Sequence, residues 1–334
     1  MKQNNINIYL TLDYELFLLK PGNNIDFSLI NPTFDLVKVL NKYQFKAIFF
    51  VDAGYLYALN KYKDKYLNIE KDYTKIINQL KILESQGHEI GLHVHPHWED
   101  CFYNGDEWKV NLNRFKLSDF TKEEARDIFN KYYKNLQFHF INKIISYRSG
   151  GWCLEPFSFI RESMKDNGIF IDSTVVPGAS YKSKTHSYDY RLFPKKDIWR
   201  FNHEPSIIDE LGYFIEVPCT PHKLTQIYFW KKLLNIFHNK FKQTPNGEAI
   251  KPSIFGLFKK LIFKTVDAVS IDAQKSDFLL NTFKIVEKDQ KYNFCIIGHP
   301  KCFTSDTYKN LDDFIVYIIN KGYTLTTFSK SLSK

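Results

Sequence analysis

Three histidines lie at alternate positions in the stretch EIGLHVHPHWED, residues 89–100 of the chain: His93, His95 and His97. Because the chain of 334 residues has only 10 histidines, this concentration suggests that they share one chemical task. The apolar residues before them predict a strand that ends in a turn at Pro96. Alternation along the strand would place the three imidazoles on one side, and the turn could return His97 to an ion held by His93.

Two carboxylates, Asp13 and Glu15, follow an apolar run in INIYLTLDYE near the N-terminus. Their spacing of two places them on the same side of a strand end. Two neutral imidazoles and one carboxylate form the open coordination of a hydrolytic zinc site, and either Asp13 or Glu15 can supply the carboxylate. A carboxylate buried there needs a cation or hydrogen bonds to offset its desolvation, and Arg148 and the metal are the candidates.

The elements that must position these groups alternate between strand and helix. The first hundred residues contain, in order, INIYLTLD, PTFDLVKVLNKY, FKAIFFVDA, DYTKIINQLKILESQG and EIGLHVH. Such alternation predicts parallel strands with crossover helices, and the nearly continuous apolar strands indicate that both faces of the sheet are covered. Functional groups collect at the carboxyl ends of strands in this architecture. Four polar clusters have that position: Asp13 with Glu15, His93 to His97, Arg148 to Trp152, and His299.

Composition sets the broad class of the protein. A hydrophobic content of 44% and a charged content of 25% are those of an ordinary folded chain. The formal net charge of +9 comes from scattered lysines and favours anionic partners only modestly, so nucleic-acid binding is not predicted. The N-terminal segment lacks the apolar core of a signal peptide, and the five cysteines lack zinc-type spacing, which together predict a reduced, cytoplasmic protein.

One segment, residues 222–265, is basic and rich in aromatic residues. The simplest interpretation is a pair of surface helices around a Pro/Gly turn with the aromatic residues packed inward. The alternative is an amphipathic surface that makes a peripheral contact with a membrane or a lipid-linked substrate. We expect a single domain over residues 1–334 that carries this segment as an insertion, and a hairpin or substrate-facing loop over residues 178–213.

The short motifs TLDYE, HVHPH, YRSGGW, FIDST and IIGHP, in this order, resemble those of the polysaccharide deacetylase family of carbohydrate esterases, the NodB-homology proteins. The flanking stretches KAIFFVDAG and SQGHEIGLHVH are also similar to family sequence. The resemblance covers roughly residues 6–328. It implies an α/β fold, an irregular (β/α)7-type barrel.

The resemblance also implies a divalent metal ion, most often Zn²⁺, and a set of ligands. His93 and His97 match two of the family's metal ligands. The third is normally an Asp at the position where this chain has Tyr14, and members with an Asp-x-Asp/Glu signature use the residue after it. The implied third ligand is therefore Glu15.

The remaining motif residues match catalytic positions of the family. The resemblance implies that Asp13 is the catalytic base, that Arg148 orients it and that the backbone N–H of Gly151 binds the oxyanion. It implies that His299 is the general acid and that Asp172 is the carboxylate that holds it. Three tryptophans are candidate platforms for a sugar ring: Trp98, Trp152 and Trp199.

The implied function is removal of an acetyl group from an N-acetylated sugar or glycan precursor by a metal-dependent hydrolase. A cytoplasmic location would direct it to an intracellular or lipid-linked precursor, and so to the synthesis of a surface polysaccharide. Two alternatives remain open. The same fold carries hydrolases of cyclic amides and imides, and Tyr14 and Val94 at normally polar positions would suit a glycan-binding protein that has lost turnover.

Overall fold

The structure is a computed structural model that describes residues 6–17, 24–224 and 265–332. The predicted pair of helices within residues 222–265 lies almost wholly outside these ranges, so it stays a prediction, as does the single-domain boundary. Within the described part of the chain, every helix is too short or too polar to cross a bilayer.

Fifteen strands are present in the described residues. They are β1 (Asn7–Tyr14), β2 (Ile48–Asp52), β3 (Glu89–Val94), β4 (Phe102–Tyr103), β5 (Trp108–Lys109), β6 (Ser146–Ser149), β7 (Ile171–Asp172), β8 (Ser180–Lys182), β9 (Ser187–Asp189), β10 (Trp199–Phe201), β11 (Phe214–Glu216), β12 (Pro221–Leu224), β13 (Thr265–Ala268), β14 (Asn293–Gly298) and β15 (Leu325–Thr326). The helices of the same residues are α1 (Asn31–Asn41), α2 (Ala53–Tyr62), α3 (Leu67–Ser85), α4 (Lys122–Gln137), α5 (Arg161–Asp166), α6 (Leu279–Lys288), α7 (Ser305–Asn320) and α8 (Phe328–Ser331).

The main sheet has the strand order β10-β11-β7-β6-β3-β2-β1-β14, and β15 pairs with β1. All of its pairings are parallel except that of β10 with β11. Helices follow β2 and β3 along the chain, as the alternation of segments predicts. Capping residues define several helix ends: Asp52 accepts hydrogen bonds from Gly54 N and Tyr55 N at the start of α2.

The sheet is strongly curved. Arg148 on β6 donates a hydrogen bond to Thr11 on β1, 2.8 Å away, although β3 and β2 lie between these strands in the sheet. Three strand spacings of about 4.8 Å exceed the reach of an arginine across a flat sheet, so the strands must curl around it. The open side is bridged irregularly, since Thr220 N donates to Cys295 O and Ile271 N donates to Ile297 O. The predicted irregular (β/α)7-type barrel is confirmed.

Alternation along β1 separates two environments. Ile8, Leu10, Leu12 and Tyr14 belong to the large core that includes the helices, whereas Tyr9 packs in a second cluster with Ile48, Phe50 and Ile297 inside the curve. By the same period of two, Asp13 faces the inside of the curved sheet. The fold therefore directs the acidic residues of this strand end toward the concave side.

Candidate active site

The carboxyl ends of β1, β3, β6 and β14 converge, and each carries polar side chains. Asp13, Glu15, His93, His95 and Arg148 are all buried there. His299, directly after β14, is more accessible, with 21% of its side chain exposed. The structure thus brings together groups that lie almost three hundred residues apart in the sequence.

Glu15, His93 and His95 form a cluster that suits a metal ion. Their ligand atoms all lie within 4.8 Å of one another. Glu15 Oε2 is 2.6 Å from His95 Nε2 and 3.5 Å from His93 Nε2. His93 Nδ1 donates to Arg148 O over 2.9 Å, which leaves Nε2 as the ligand atom and provides the outer-shell support typical of zinc-binding histidines. One carboxylate and two imidazoles therefore fit a divalent ion such as Zn²⁺.

Burial and neighbouring charges shift the pKa values of this cluster. Burial raises the pKa of Glu15, but the nearby Lys301 and His95 outweigh it and hold that pKa well below its ordinary value. Burial lowers the pKa of His93, whereas Asp13 and Glu15 raise it to about 9. An ion that binds here must therefore displace a proton from His93, as metal sites built on histidine generally require.

His97 is not part of this cluster. It is fully buried, neither of its ring nitrogens has a hydrogen-bond partner among the described residues, and its ring stacks on Phe115 with centroids 5.6 Å apart. His95 is still extended, so it shares the side of His93, but the 3-10 turn Pro96–Asp100 begins directly after it and breaks the alternation. The structure therefore differs from the prediction: the histidine that lies beside His93 and Glu15 is His95 and not His97.

Asp13 is held by an arginine inside the barrel. Arg148 Nη1 donates to Asp13 Oδ1 at 2.7 Å, while Arg148 Nε donates to Ser173 O at 2.7 Å. The guanidinium also lies over the ring of Phe50, 4.2 Å from its centroid. These contacts fix the planar guanidinium, so that the orientation of Asp13 is fixed with it, in the arrangement predicted from the sequence.

His299 is paired with Asp272. The His299 ring Nδ1 lies 2.7 Å from Asp272 Oδ2, and the His299 backbone N–H donates to Asp272 Oδ1 over 2.7 Å. Burial lowers the pKa of His299, but Asp272, Asp13 and Glu15 together outweigh it, so the net shift is upward. The other ring nitrogen, Nε2, is 3.5 Å from Asp13 Oδ2 and 3.7 Å from Glu15 Oε1. A protonated His299 therefore points its second N–H into the site.

The predicted partner of His299, Asp172, lies elsewhere. Its carboxylate accepts hydrogen bonds from Thr174, both from Oγ1 at 2.8 Å and from the backbone N–H at 3.2 Å, and it neighbours Glu216. The residue that sequence reasoning missed is Asp272, which ends the apolar stretch AVSID. Its position after such a run matches that of Asp13 and was the available signal.

Two glycines allow the turn after β6 to approach the histidines. Gly151 has φ +60, and a Cβ there would lie 2.5 Å from Phe115 Cε1. A Cβ on Gly150 would lie 2.6 Å from His95 Nδ1. The predicted oxyanion turn thus packs directly against His95, and side chains larger than hydrogen would not fit at these two positions.

The three candidate tryptophans have different environments. Trp98 is buried and donates to Asp52 Oδ2, and Trp199 is buried and donates to Pro205 O, so neither presents a ring to a ligand in this structure. Trp152 is partly exposed and lies beside Tyr188. Of the three, Trp152 alone keeps the accessibility that a sugar platform needs.

The sequence matches none of the protein-family models and none of the curated proteins with which it was compared. Solved structures do match. A protein from Mycobacterium smegmatis classed as a polysaccharide deacetylase aligns with 98% of this chain and 89% of its own, at 13% identity and a TM-score of 0.54. The allantoinase Puue aligns with 98% of this chain and 88% of its own, at 11% identity and a TM-score of 0.52. The chain shares the fold of these two proteins.

A family 4 carbohydrate esterase from Streptomyces lividans also matches, at 9% identity over 98% of this chain and 95% of its own, with a TM-score of 0.41. The two alignments with TM-scores above 0.5 confirm the architecture implied by the resemblance to polysaccharide deacetylases, and at identities of 11–13% they show the fold alone.

Proposed function

We propose that this protein is a divalent-metal-dependent amide hydrolase that removes the acetyl group from an N-acetylated sugar or glycan precursor. The observation that supports it most is the convergence of Glu15, His93 and His95 beside Asp13 and His299. Amide hydrolysis needs an activated water, a stabilised oxyanion and a protonated leaving amine. The site offers a group for each of these requirements.

Asp13 suits the role of general base. Its Oδ1 is occupied by Arg148 Nη1, which leaves Oδ2 to accept a proton from the attacking water. Arg148 keeps Asp13 oriented, because the guanidinium that donates to Oδ1 is itself fixed by its other contacts. A divalent ion held by Glu15, His93 and His95 would polarise the substrate carbonyl and lower the pKa of a water molecule toward about 7.

His299 suits the role of general acid. Asp272 accepts from Nδ1, so the ring is held in one orientation and its protonated form is stabilised. Nε2 can then donate its proton to the departing sugar nitrogen, a contribution of about 10²- to 10⁴-fold in typical enzymes. The turn at Gly150 and Gly151 lies next to His95, where a backbone N–H can bind the oxyanion. Loss of one such donor typically costs about 10²- to 10³-fold.

A second candidate, opening of a cyclic amide, is favoured by the similarity to an allantoinase at nearly the same TM-score as to the deacetylase. Its chemistry uses the same base, acid and ion on a different amide. The products separate the two functions, because ring opening releases no acetate.

We further propose that the enzyme works in the cytoplasm on a precursor of a surface polysaccharide, with peripheral membrane contact through residues 222–265. All five cysteines are free, four of them buried, which is in keeping with a reducing compartment. Fractionation of cells that produce the full chain and a variant without residues 225–264, which keeps β12 and β13, would test the membrane contact: the full chain is expected at the membrane and the variant in the soluble fraction.

The decisive experiment combines metal analysis of the purified chain with acetate detection across a panel of N-acetylhexosamine compounds and a ring-opening assay on cyclic amides. We expect one bound divalent ion and acetate release, with Asp13→Asn and His299→Ala at least about 10²-fold slower. His203→Ala, which removes an exposed ring hydrogen-bonded to Arg161, is the control and should keep full activity. Zinc binding with no turnover of any substrate would contradict the proposal and favour a glycan-binding protein.

A further inference from the structure

A lysine that the sequence motifs do not include contacts the metal carboxylate. Lys301 Nζ donates to Glu15 Oε1 at 2.9 Å and to the carbonyl oxygen of Leu16 at 2.9 Å, and 11% of its side chain is exposed. Lys301 lies in the turn Pro300–Cys302, directly after His299. It therefore anchors both the side chain and the main chain of the segment that follows β1.

These contacts divide the two oxygens of Glu15 between different partners. Oε1 faces the ammonium of Lys301, whereas Oε2 faces the imidazoles of His95 and His93. Only Oε2 of Glu15 is therefore available to coordinate an ion in the cluster. Coordination through both oxygens would require the contact with Lys301 to break.

The ammonium also changes the charge that an ion meets. Glu15 with two neutral imidazoles has a charge of −1, and Lys301 cancels it. An ion about 2 Å from Oε2 would lie roughly 6 Å from the ammonium nitrogen. Even with the screening of bulk water, repulsion between a single and a double positive charge at that distance lowers affinity about tenfold, and more in a buried site.

We propose that Lys301 is a positioning residue that restricts Glu15 to a single ligand oxygen and keeps the bound ion exchangeable. This inference rests on the metal centre of the proposed function. The occupancy of the site, and with it activity, then depends on the concentration of available divalent ion. If Lys301 only anchored the segment after β1, its replacement would disorder Glu15 and weaken metal binding. If it restricts Glu15 as proposed, replacement by an uncharged residue strengthens metal binding.

The test measures zinc affinity of the full chain, freed of metal, by competition with a chromophoric chelator. Lys301→Met is expected to bind zinc at least about tenfold more tightly than the wild type, and Lys301→Arg, which keeps the charge, within about threefold of it. Lys301→Gln keeps a donor without the charge and should also bind more tightly, which covers the case in which Lys301→Met folds poorly. Lys38→Met, which removes an exposed lysine paired with Asp35, is the control and should leave affinity unchanged.

A spectroscopic measurement tests the coordination itself. Cobalt(II) bound to Lys301→Met should absorb visible light more weakly than in the wild type, because the second oxygen of Glu15 raises the coordination number. Equal or weaker zinc binding by the uncharged variants would overturn the role of Lys301 and leave the metal centre intact. A wild-type chain that binds no zinc would overturn the metal centre and this inference together.

Discussion

The assignment of His95 in place of His97 can be tested by replacing each histidine of the motif with leucine, which has a similar volume. His93 and His95 place a ring nitrogen in the cluster with Glu15, whereas His97 lies outside it. We therefore expect His93→Leu and His95→Leu to lose zinc, and His97→Leu to keep it. The three variants are matched controls for one another because they change the same residue type within one short segment.

The expected magnitudes follow from the contacts. Removal of a group that merely supports a zinc ligand typically costs 10- to 100-fold in affinity, so loss of a ligand itself should cost at least about 100-fold. His97 has two buried ring nitrogens without partners in the described structure, and each such group costs about 1–3 kcal/mol of desolvation. Leucine removes that cost and loses the stacking on Phe115, so His97→Leu should be as stable as the wild type or more stable.

The assay is a chelator competition for zinc on all three variants, with thermal unfolding as the control for folding. His97→Leu should bind zinc within about threefold of the wild type, since second-shell losses begin at about tenfold. The reasoning is refuted if His97→Leu folds normally but loses zinc while His95→Leu retains it. In that case the spacing of four between His93 and His97, and not the geometry described above, would define the centre.

Three further predictions concern neighbouring groups. Asp272→Asn should lower the pKa of His299, because Asp272 contributes most among the carboxylates that raise it, so the alkaline limb of the pH profile of kcat should move to lower pH. Gly151→Ala should lower the melting temperature, since φ +60 costs a residue with a Cβ about 1–2 kcal/mol before the clash with Phe115 is counted; an additional Phe115→Leu should relieve only the clash. Burial and the adjacent Asp172 raise the pKa of Glu216 well above 4.5. The folded state therefore binds this proton more tightly than the unfolded chain, and wild-type stability falls as the pH rises above that value. Glu216→Gln should be more stable than the wild type at pH 8, by about 1.4 kcal/mol per unit of raised pKa, and the gain should vanish near pH 4; a constant difference across that range would contradict the assignment.

The strand ends and most of the groups they carry could be predicted from the sequence. Parallel strands with crossover helices place their carboxyl ends on one side, so Asp13, Glu15, His93, Arg148 and His299 had to be close neighbours once their strands were identified. The register of the strands adds the detail, because Asp52 is the Cα partner of His93, which in turn pairs with Arg148. Short-range patterns are sufficient for this level of description.

The pairings that the sequence did not predict depend on where regular structure stops. The spacing of the histidines allows either His95 or His97 to lie beside His93, and the 3-10 turn Pro96–Asp100 decides for His95. Asp172 and Asp272 both follow apolar runs. The irregular pairing of Ile271 with Ile297 on β14 is what places Asp272 against His299. Such long-range contacts are set by the packing of the whole barrel.

The position of Tyr14 connects these differences. As an even-numbered residue of β1 it faces the helices, and its hydroxyl donates to Gln79 Oε1 in the core, 2.8 Å away. A carboxylate at that position would face away from the histidines and lose its hydration, and the carboxylate that meets them is that of Glu15, one residue beyond the strand. From there Oε2 reaches His95, two residues after His93, while Oε1 accepts a hydrogen bond from Lys301. The inward packing of Tyr14, the contact of His95 with Glu15 and the contact of Lys301 with Glu15 therefore share one cause, which is that the carboxylate nearest the histidines lies one residue beyond the strand.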